Sequence, residues 1–370
     1  MRILFAIKSL ENPGGGAERV FADVIREIDA RKHKVKILTF DKKNHETFYK
    51  IDKGVDRISI GIGDVSKPSG MVETIRRVLA IRSEVLRQQP NVVVGFMHSM
   101  FIPLSIALIG TGIPVVGSEH IVREHYRGKM SQWVLLCASS IWIEKMTAVS
   151  DQAKASYPGF IRRKMSIIPN PVSINVRKKA DVLASGKRKV LLAVGSLRKQ
   201  KNFLTLIEAF RKVVDSCPEW DLRIVGEGEE REALTRRISE LGLGGRVVLP
   251  GATNDIRAEY ENAQLYVNAS LYESQGLTTV EAIVHGLPAI GFEDCPGTNE
   301  IIQNNFNGIL VPANIDTVST LAVELIRMMG GDKLRVRMGK AGLGKYVIPA
   351  PEVVIQKWIT LLKSISAAPN

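Results

Sequence analysis

Apolar residues recur along the chain in two alternating rhythms. Short unbroken runs closed by glycine, proline or small polar residues have the pattern of strands buried on both faces. Residues 2–7, 36–40, 91–95, 113–117, 190–194, 222–225, 247–251, 265–267 and 289–292 are such runs. Between them lie stretches with apolar residues at helical spacing. One begins at Ala17, with Val20, Phe21, Val24, Ile25 and Ile28, and others span 71–88, 203–214, 255–263 and 351–364. Strand, loop, helix and strand in repetition predict an α/β chain with parallel sheets.

The breakers between these elements carry the candidate chemistry. The first strand runs into Asn12-Pro13-Gly14-Gly15-Gly16, where glycines allow a close backbone approach and the helix from Ala17 offers its first N–H groups to a phosphate. This is not G-x-G-x-x-G, so the dinucleotide fingerprint fails, and a tight turn explains the loop equally well. The strand 113–117 runs into Ser118-Glu119-His120, which puts His120 just past its C-terminal end, where open α/β sheets bind ligands. In the second half the strand 190–194 ends at Gly195, and Arg198, Lys199 and Lys201 follow before the next helix.

The densest stretch is 268–307. Glu273 stands on a loop, and a helix from Leu277 carries Glu281 and is stopped by His285-Gly286-Leu287-Pro288. After the strand 289–292, Cys295-Pro296-Gly297-Thr298-Asn299 reads as a loop that opens another helix at Glu300. Two carboxylates eight apart then point to one cleft, and two helix N-termini make that cleft an anion site.

Composition narrows the class. A chain of 370 residues suits two domains, and 45% hydrophobic residues excludes wholesale disorder. Three scattered cysteines with no C-x-x-C argue against a disulfide framework or zinc site. The N-terminal run reads as a core strand rather than a signal peptide, and no apolar run reaches the roughly 18–20 residues of a membrane span. A cytoplasmic chain is therefore expected. The apolar stretches 100–117 and 133–143 read as core helices.

A net charge of +13 calls for an anionic partner. The helix 71–88 is basic and amphipathic, with Val72, Ile75, Leu79 and Leu86 on one side and Arg76, Arg77, Arg82 and Arg87 around the others. With Arg123, Arg127 and Lys129 it could hold an anionic membrane surface by charge. With 6% aromatic residues and no nucleic-acid-binding motif, nucleic acid is a remote alternative. Gly339-Lys-Ala-Gly-Leu-Gly344-Lys345 imitates a Walker A loop, but Tyr346 replaces the required hydroxyl and no strand precedes it.

Glu273-Ser-Gln-Gly-Leu-Thr-Thr-Val-Glu281, with its helix stop and glycine loop, resembles the motif of the retaining, nucleotide-sugar-dependent glycosyltransferases of family 4. Gly195 through Asn202, Gly15 through Arg19, His120, and the segments 146–150 and 167–171 resemble other parts of that family. The resemblance implies the GT-B fold: two Rossmann-like doubly wound domains facing each other across a cleft, with a C-terminal helix crossing back to the first. The domains would be 1–174 and 189–348, joined by a basic linker 175–188 and followed by the returning helix 349–366.

It further implies transfer from a UDP- or GDP-sugar donor to a glycan acceptor, such as one on a polyprenyl diphosphate, with no cofactor and no metal. No Asp-Xaa-Asp is present to hold one. In the family's pattern Lys201 reaches the diphosphate, with the amides of Gly15 and Gly16. Gly195 ends the strand, and Ser196 stands where the family often has Arg, leaving Arg198 as the substitute. Glu281 takes the donor ribose, Glu273 and His120 face the donor sugar, and Gly297, Thr298 and Asn299 contact its hydroxyls. The Gly226 turn lines the nucleoside. An epimerase or phosphorylase on the same fold would use the same residues differently.

Overall fold

The computed structural model describes residues 1–11, 15–43, 46–52, 54–65, 67, 69–171, 176, 178–183, 188–312, 316–345 and 349–366. Asn12, Pro13 and Gly14 of the glycine loop, residues 172–175 and 184–187 around and within the basic segment, and Tyr346 lie outside them. The chain divides into two compact units, 1–172 with 349–370, and 173–348.

The first unit is built from β1 (Arg2–Ala6), α1 (Gly16–Asp29), β2 (Lys34–Thr39), β3 (Asp56–Ser59), α2 (Met71–Gln88), β4 (Val92–Phe96), α3 (His98–Ala107) and β5 (Val115–Ser118). There follow α4 (Met130–Ser139), β6 (Lys145–Ala148), α5 (Asp151–Ala155), α6 (Gly159–Arg162) and β7 (Met165–Ile167). The strands form one parallel sheet in the order β3-β2-β1-β4-β5-β6-β7. Both faces are covered, as parallel sheets require. On one, Phe5, Phe21 and Phe96 pack edge to face or tilted. On the other, Leu4, Ala6 and Val93 cluster with Ile81 and Val85 of α2 and Phe101 and Leu104 of α3.

The second unit contains β8 (Lys189–Val194), α7 (Phe203–Val213), β9 (Trp220–Val225), α8 (Arg231–Glu240), β10 (Val247–Gly251), α9 (Ile256–Asn262) and β11 (Leu265–Asn268). It continues through α10 (Leu277–Val284), β12 (Ala289–Phe292), β13 (Gly308–Val311), α11 (Thr317–Gly330) and α12 (Asp332–Lys345). Its sheet is parallel in the order β10-β9-β8-β11-β12-β13. In both sheets the order reverses beside the first strand, between β1 and β4 and between β8 and β11. Ligands of doubly wound sheets bind at such a switch point, outside the strands' carboxyl ends. The last helix, α13 (Pro351–Ser366), belongs to the first unit and packs on α1 and β4, its Trp358 stacked 5.9 Å from Phe96. The Walker-like stretch is helical, within α12.

Three sequence expectations fail here. No helix opens at Glu300. After one turn from Cys295, Asn307 accepts the Gln303 amide and donates to the Ile301 carbonyl, and the chain returns into β13 at Gly308. The chain is committed to that turn, so the second helix N-terminus expected here, at Glu300, is not formed.

The second failure is the cationic face expected of α2, whose range is as expected. Its core residues are Ile81, Val85 and Arg77, the last only 5% exposed. Arg77 donates to the Ile62 carbonyl (2.9 Å), pairs with Glu73 (2.7 Å) and lies 4.7 Å from the Phe40 ring centroid. Arg82 is spent on the carbonyls of Ala107 and Ile109, and Arg87 on Glu84. The apolar stripe of Val72, Ile75, Leu79 and Leu86 faces outward. Of the four arginines, Arg77, Arg82 and Arg87 are thus engaged within the unit, and Arg76 is exposed.

The third is 133–143, expected as core. Leu136 and Ile143 are buried, but Val134, Leu135, Ile141 and Trp142 are exposed.

Candidate active site

In the second unit, β8 ends at Gly195 and the chain crosses back over it. A Cβ on Gly195 would stand 3.1 Å from Cε of Lys201, so the lysine stem lies directly on that glycine. A Cβ on Gly226, at the end of β9, would meet the Gly195 carbonyl oxygen at 1.9 Å, which only glycine permits. The short turn Lys199–Lys201 is tied to the loop after β11. Gln200 Nε2 donates to the Tyr272 carbonyl (2.7 Å), and the Leu271 amide donates to the Gln200 carbonyl (2.9 Å).

Those two bonds bring together side chains 72 positions apart. Lys201 Nζ donates to Glu273 Oε1 at 2.5 Å, and Ser270 Oγ donates to the same oxygen at 2.7 Å. Both charges keep a little exposure, 16% for the lysine side chain and 12% for the carboxylate. The pair sits at the switch point between β8 and β11.

The second glycine loop supports the first. Gly297 has φ +77° and a Cβ there would meet the Glu273 carbonyl at 2.7 Å, while the Glu273 amide donates to the Pro296 carbonyl (2.9 Å). Thr298 is fully buried, its hydroxyl accepting from Asn268 Nδ2 (3.1 Å) and the Cys295 thiol. Its side chain is a clamp within the loop, and its amide donates to the Cys295 carbonyl (3.3 Å). Asn299 donates to the Glu293 carbonyl (2.8 Å), and its Oδ1 is buried with no partner among the described residues. Arg198 is exposed, and no hydrogen bond or ion pair of its side chain is seen among the described residues.

Glu281 is placed differently from Glu273. It is 4% exposed on the inner side of α10 and accepts from the Tyr260 hydroxyl (2.9 Å). Tyr260 stacks on His285 at 5.2 Å. Tyr260 and Ser270, the partners of the two carboxylates, were not singled out from the sequence, because their roles depend on pairings across the fold.

In the first unit, Gly15 caps α1 and Gly16 is its first residue; nothing described lies within 4 Å of a Cβ on Gly16. His120 follows β5 and is 9% exposed, stacked 4.9 Å from Phe96, with Nε2 2.8 Å from Ser118 Oγ. Burial lowers it to about 4, against a hydrogen bond with Asn170 that acts the other way. Its neighbour Glu119, which the sequence did not single out as a site residue, is 1% exposed. Glu119 Oε1 accepts the His120 amide (3.0 Å) and Oε2 accepts the Tyr126 hydroxyl (2.9 Å). Burial pushes this carboxyl up to about 7, outweighing those bonds. Among the described residues no group of three or more His, Cys, Asp or Glu side chains is gathered as a metal site.

Two parallel α/β units of this topology, each with loops at its switch point, define the fold class, and comparison with known proteins supplies the family. The family model for glycosyltransferase family 4 matches residues 14–176, and that for glycosyl transferases group 1 matches 176–344. The chain belongs to the group 1 glycosyltransferases and has the GT-B fold; it is a sugar-transferring enzyme.

A Campylobacter jejuni relative is 23% identical over 328 residues, which span 88% of this chain and 89% of that one. It is named GalNAc-α-(1→4)-GalNAc-α-(1→3)-diNAcBac-PP-undecaprenol α-1,4-N-acetyl-D-galactosaminyltransferase. Sucrose-phosphate synthase from Thermosynechococcus elongatus is similar in structure with a TM-score of 0.85 at 17% identity, both chains covered in full. Anabaena Alr3699/HepE, solved with UDP and glucose, gives 0.78 at 18% identity over 98% of this chain and 100% of that one.

Proposed function

We propose that the chain transfers a sugar from a nucleoside-diphosphate sugar to a glycan acceptor with retention at the anomeric carbon and without a metal ion. The observation that carries this is the Lys201–Glu273 pair, seated on Gly195 at the switch point of the second sheet. A cation on a glycine at a strand end suits a leaving diphosphate, whose charge grows as the glycosidic bond breaks. When the donor binds, Lys201 is shared between Glu273 and the phosphates. The freed carboxylate oxygen then stands beside the sugar, where it can orient a hydroxyl or stabilise positive charge on the ring. Glu281, held by Tyr260, takes the ribose.

In this reading the donor's C1–O bond to phosphate breaks and the acceptor oxygen bonds C1 on the same face. The acceptor's proton passes to the leaving phosphate oxygen, so no protein base is required. Gly15, Gly16 and His120 of the first unit enter on the family resemblance. UDP is the favoured nucleotide, supported by the Anabaena neighbour solved with it, and a polyprenyl-linked acceptor is supported by the Campylobacter relative's name.

The test is a screen of UDP- and GDP-sugars with lipid-linked acceptors in excess chelator, with the product's anomeric proton read by NMR. An α-linked donor gives an α-linked product. Inversion, or turnover only with Mg²⁺ or Mn²⁺, overturns the mechanism, and sugar turnover without acceptor turns the reading toward an epimerase.

A further inference from the structure

The outward stripe of α2 is one of the most exposed apolar features of the chain. Met71, Val72, Ile75, Leu79 and Leu86 are 82%, 65%, 53%, 61% and 44% exposed. A helix of a globular unit normally turns such a stripe inward. Here the inward side is already filled by Arg77, Ile81 and Val85.

The helix α4 repeats the pattern. Met130, Val134 and Leu135 are 73%, 56% and 50% exposed, and the helix contains no charged residue. The two helices belong to one surface, because α3 packs against both. Arg82 also ties α2 to the end of α3, where Ile106 and Ile109 are exposed in turn. An apolar surface of this extent marks an interaction site.

Charge selects the occupant. The acids of α2 are consumed within the helix, Glu73 by Arg77 and Glu84 by Arg87 and Gln88. The exposed charges beside the apolar residues include Arg76 on α2 and Arg127 and Lys129 just before α4. A second copy would bring this cationic rim against itself, since a two-fold contact pairs like patches. An anionic bilayer offers both phases in the right order, headgroups for the rim and acyl chains for the apolar side chains.

We propose that α2 and α4 seat the first unit on an anionic lipid surface chiefly through their apolar side chains. This rests on the transferase reading for its purpose, since it brings the enzyme to the phase that holds a lipid-linked acceptor. It differs from purely electrostatic attachment in its response to salt.

The test is flotation of the full chain with vesicles of phosphatidylglycerol and phosphatidylethanolamine. Binding persists in about 1 M NaCl, where charges are screened beyond about 3 Å. The combined variant Ile75→Ser, Leu79→Ser, Val134→Ser and Leu135→Ser loses roughly tenfold or more of it. Arg76→Ser with Lys129→Ser loses a few-fold, and only at low salt.

Wild-type binding by the combined variant overturns the proposal, as does binding that vanishes in salt or never appears. So does a dimer, seen by light scattering, that the same four changes dissociate, for then the face joins two copies. The nucleoside-diphosphate thermal shift is measured on every variant. Its absence throughout would count against the transferase reading and leave the docking face standing, while its presence with failed flotation removes only the docking face.

Discussion

Both units place candidate groups at the carboxyl ends of a parallel sheet, but they treat charge in opposite ways. In the second, Lys201 and Glu273 are opposite charges held together at partial exposure, with Ser270 as a third partner. In the first, Glu119 and His120 are buried beside each other and bonded chiefly to neutral groups, so burial disfavours the charged form of each. On the proposed reaction the second region receives a diphosphate, and its cation is held ready and balanced by a carboxylate. On the same proposal the first region faces the sugar, and there burial weakens the charge of both groups while their hydrogen bonds fix their directions.

The comparison breaks first at Lys201. Lys201→Ala removes the cation and is expected to cost about 2–4 kcal/mol of transition-state stabilisation, roughly thirtyfold to a thousandfold in kcat/KM. Lys199→Ala, on the exposed neighbour, should change it less than about twofold. Steady-state kinetics with a nucleotide-sugar donor decides. Equal losses would mean that the phosphate site lies elsewhere.

Glycines sharpen it next. Gly297→Ala forces a side chain into φ +77° and against the Glu273 carbonyl, and should cost about 2–3 kcal/mol, read as a fall in Tm. Gly16→Ala has free space and helical geometry, so the fold should keep or slightly gain stability. If Gly16 meets donor phosphate through its backbone, the same substitution still lowers donor affinity. Thermal melts with and without UDP separate the two effects.

Much of the second unit was legible because its pattern is local. The helix start at Leu277, the stop at Gly286 and the strand 289–292 all follow from breakers and apolar runs within a few residues. The orientation of α2 was not legible. Periodicity reveals a stripe but not which side the sheet will cover, and Arg77 turns inward only because Phe40, Ile62 and Glu73 satisfy it there. The missing helix at Glu300 depends on Asn307 closing a turn from the far side. Glu119 carries no local sign of its burial, which comes from elements the sequence does not place beside it.

Glu119 also gives the subtlest separation of the two regions. Its folded value of about 7 lies above the ordinary 4.5, so the folded chain holds an extra proton between those values. The stability this contributes is complete below about 4.5 and is lost as the pH rises through 7. His120 has the opposite sign, with a folded value of about 4 against an ordinary 6.5, so its contribution is lost as the pH falls. The whole chain's pH profile therefore mixes the two. Comparing wild type with Glu119→Gln cancels His120, which both proteins share. Between pH 5 and 8 the wild type should lose about 2 kcal/mol relative to the variant, measured by denaturant unfolding of the full chain. A flat difference for Glu119→Gln would mean that its carboxyl is ionised in the folded state, and the contrast between a neutral and a charged region would fail.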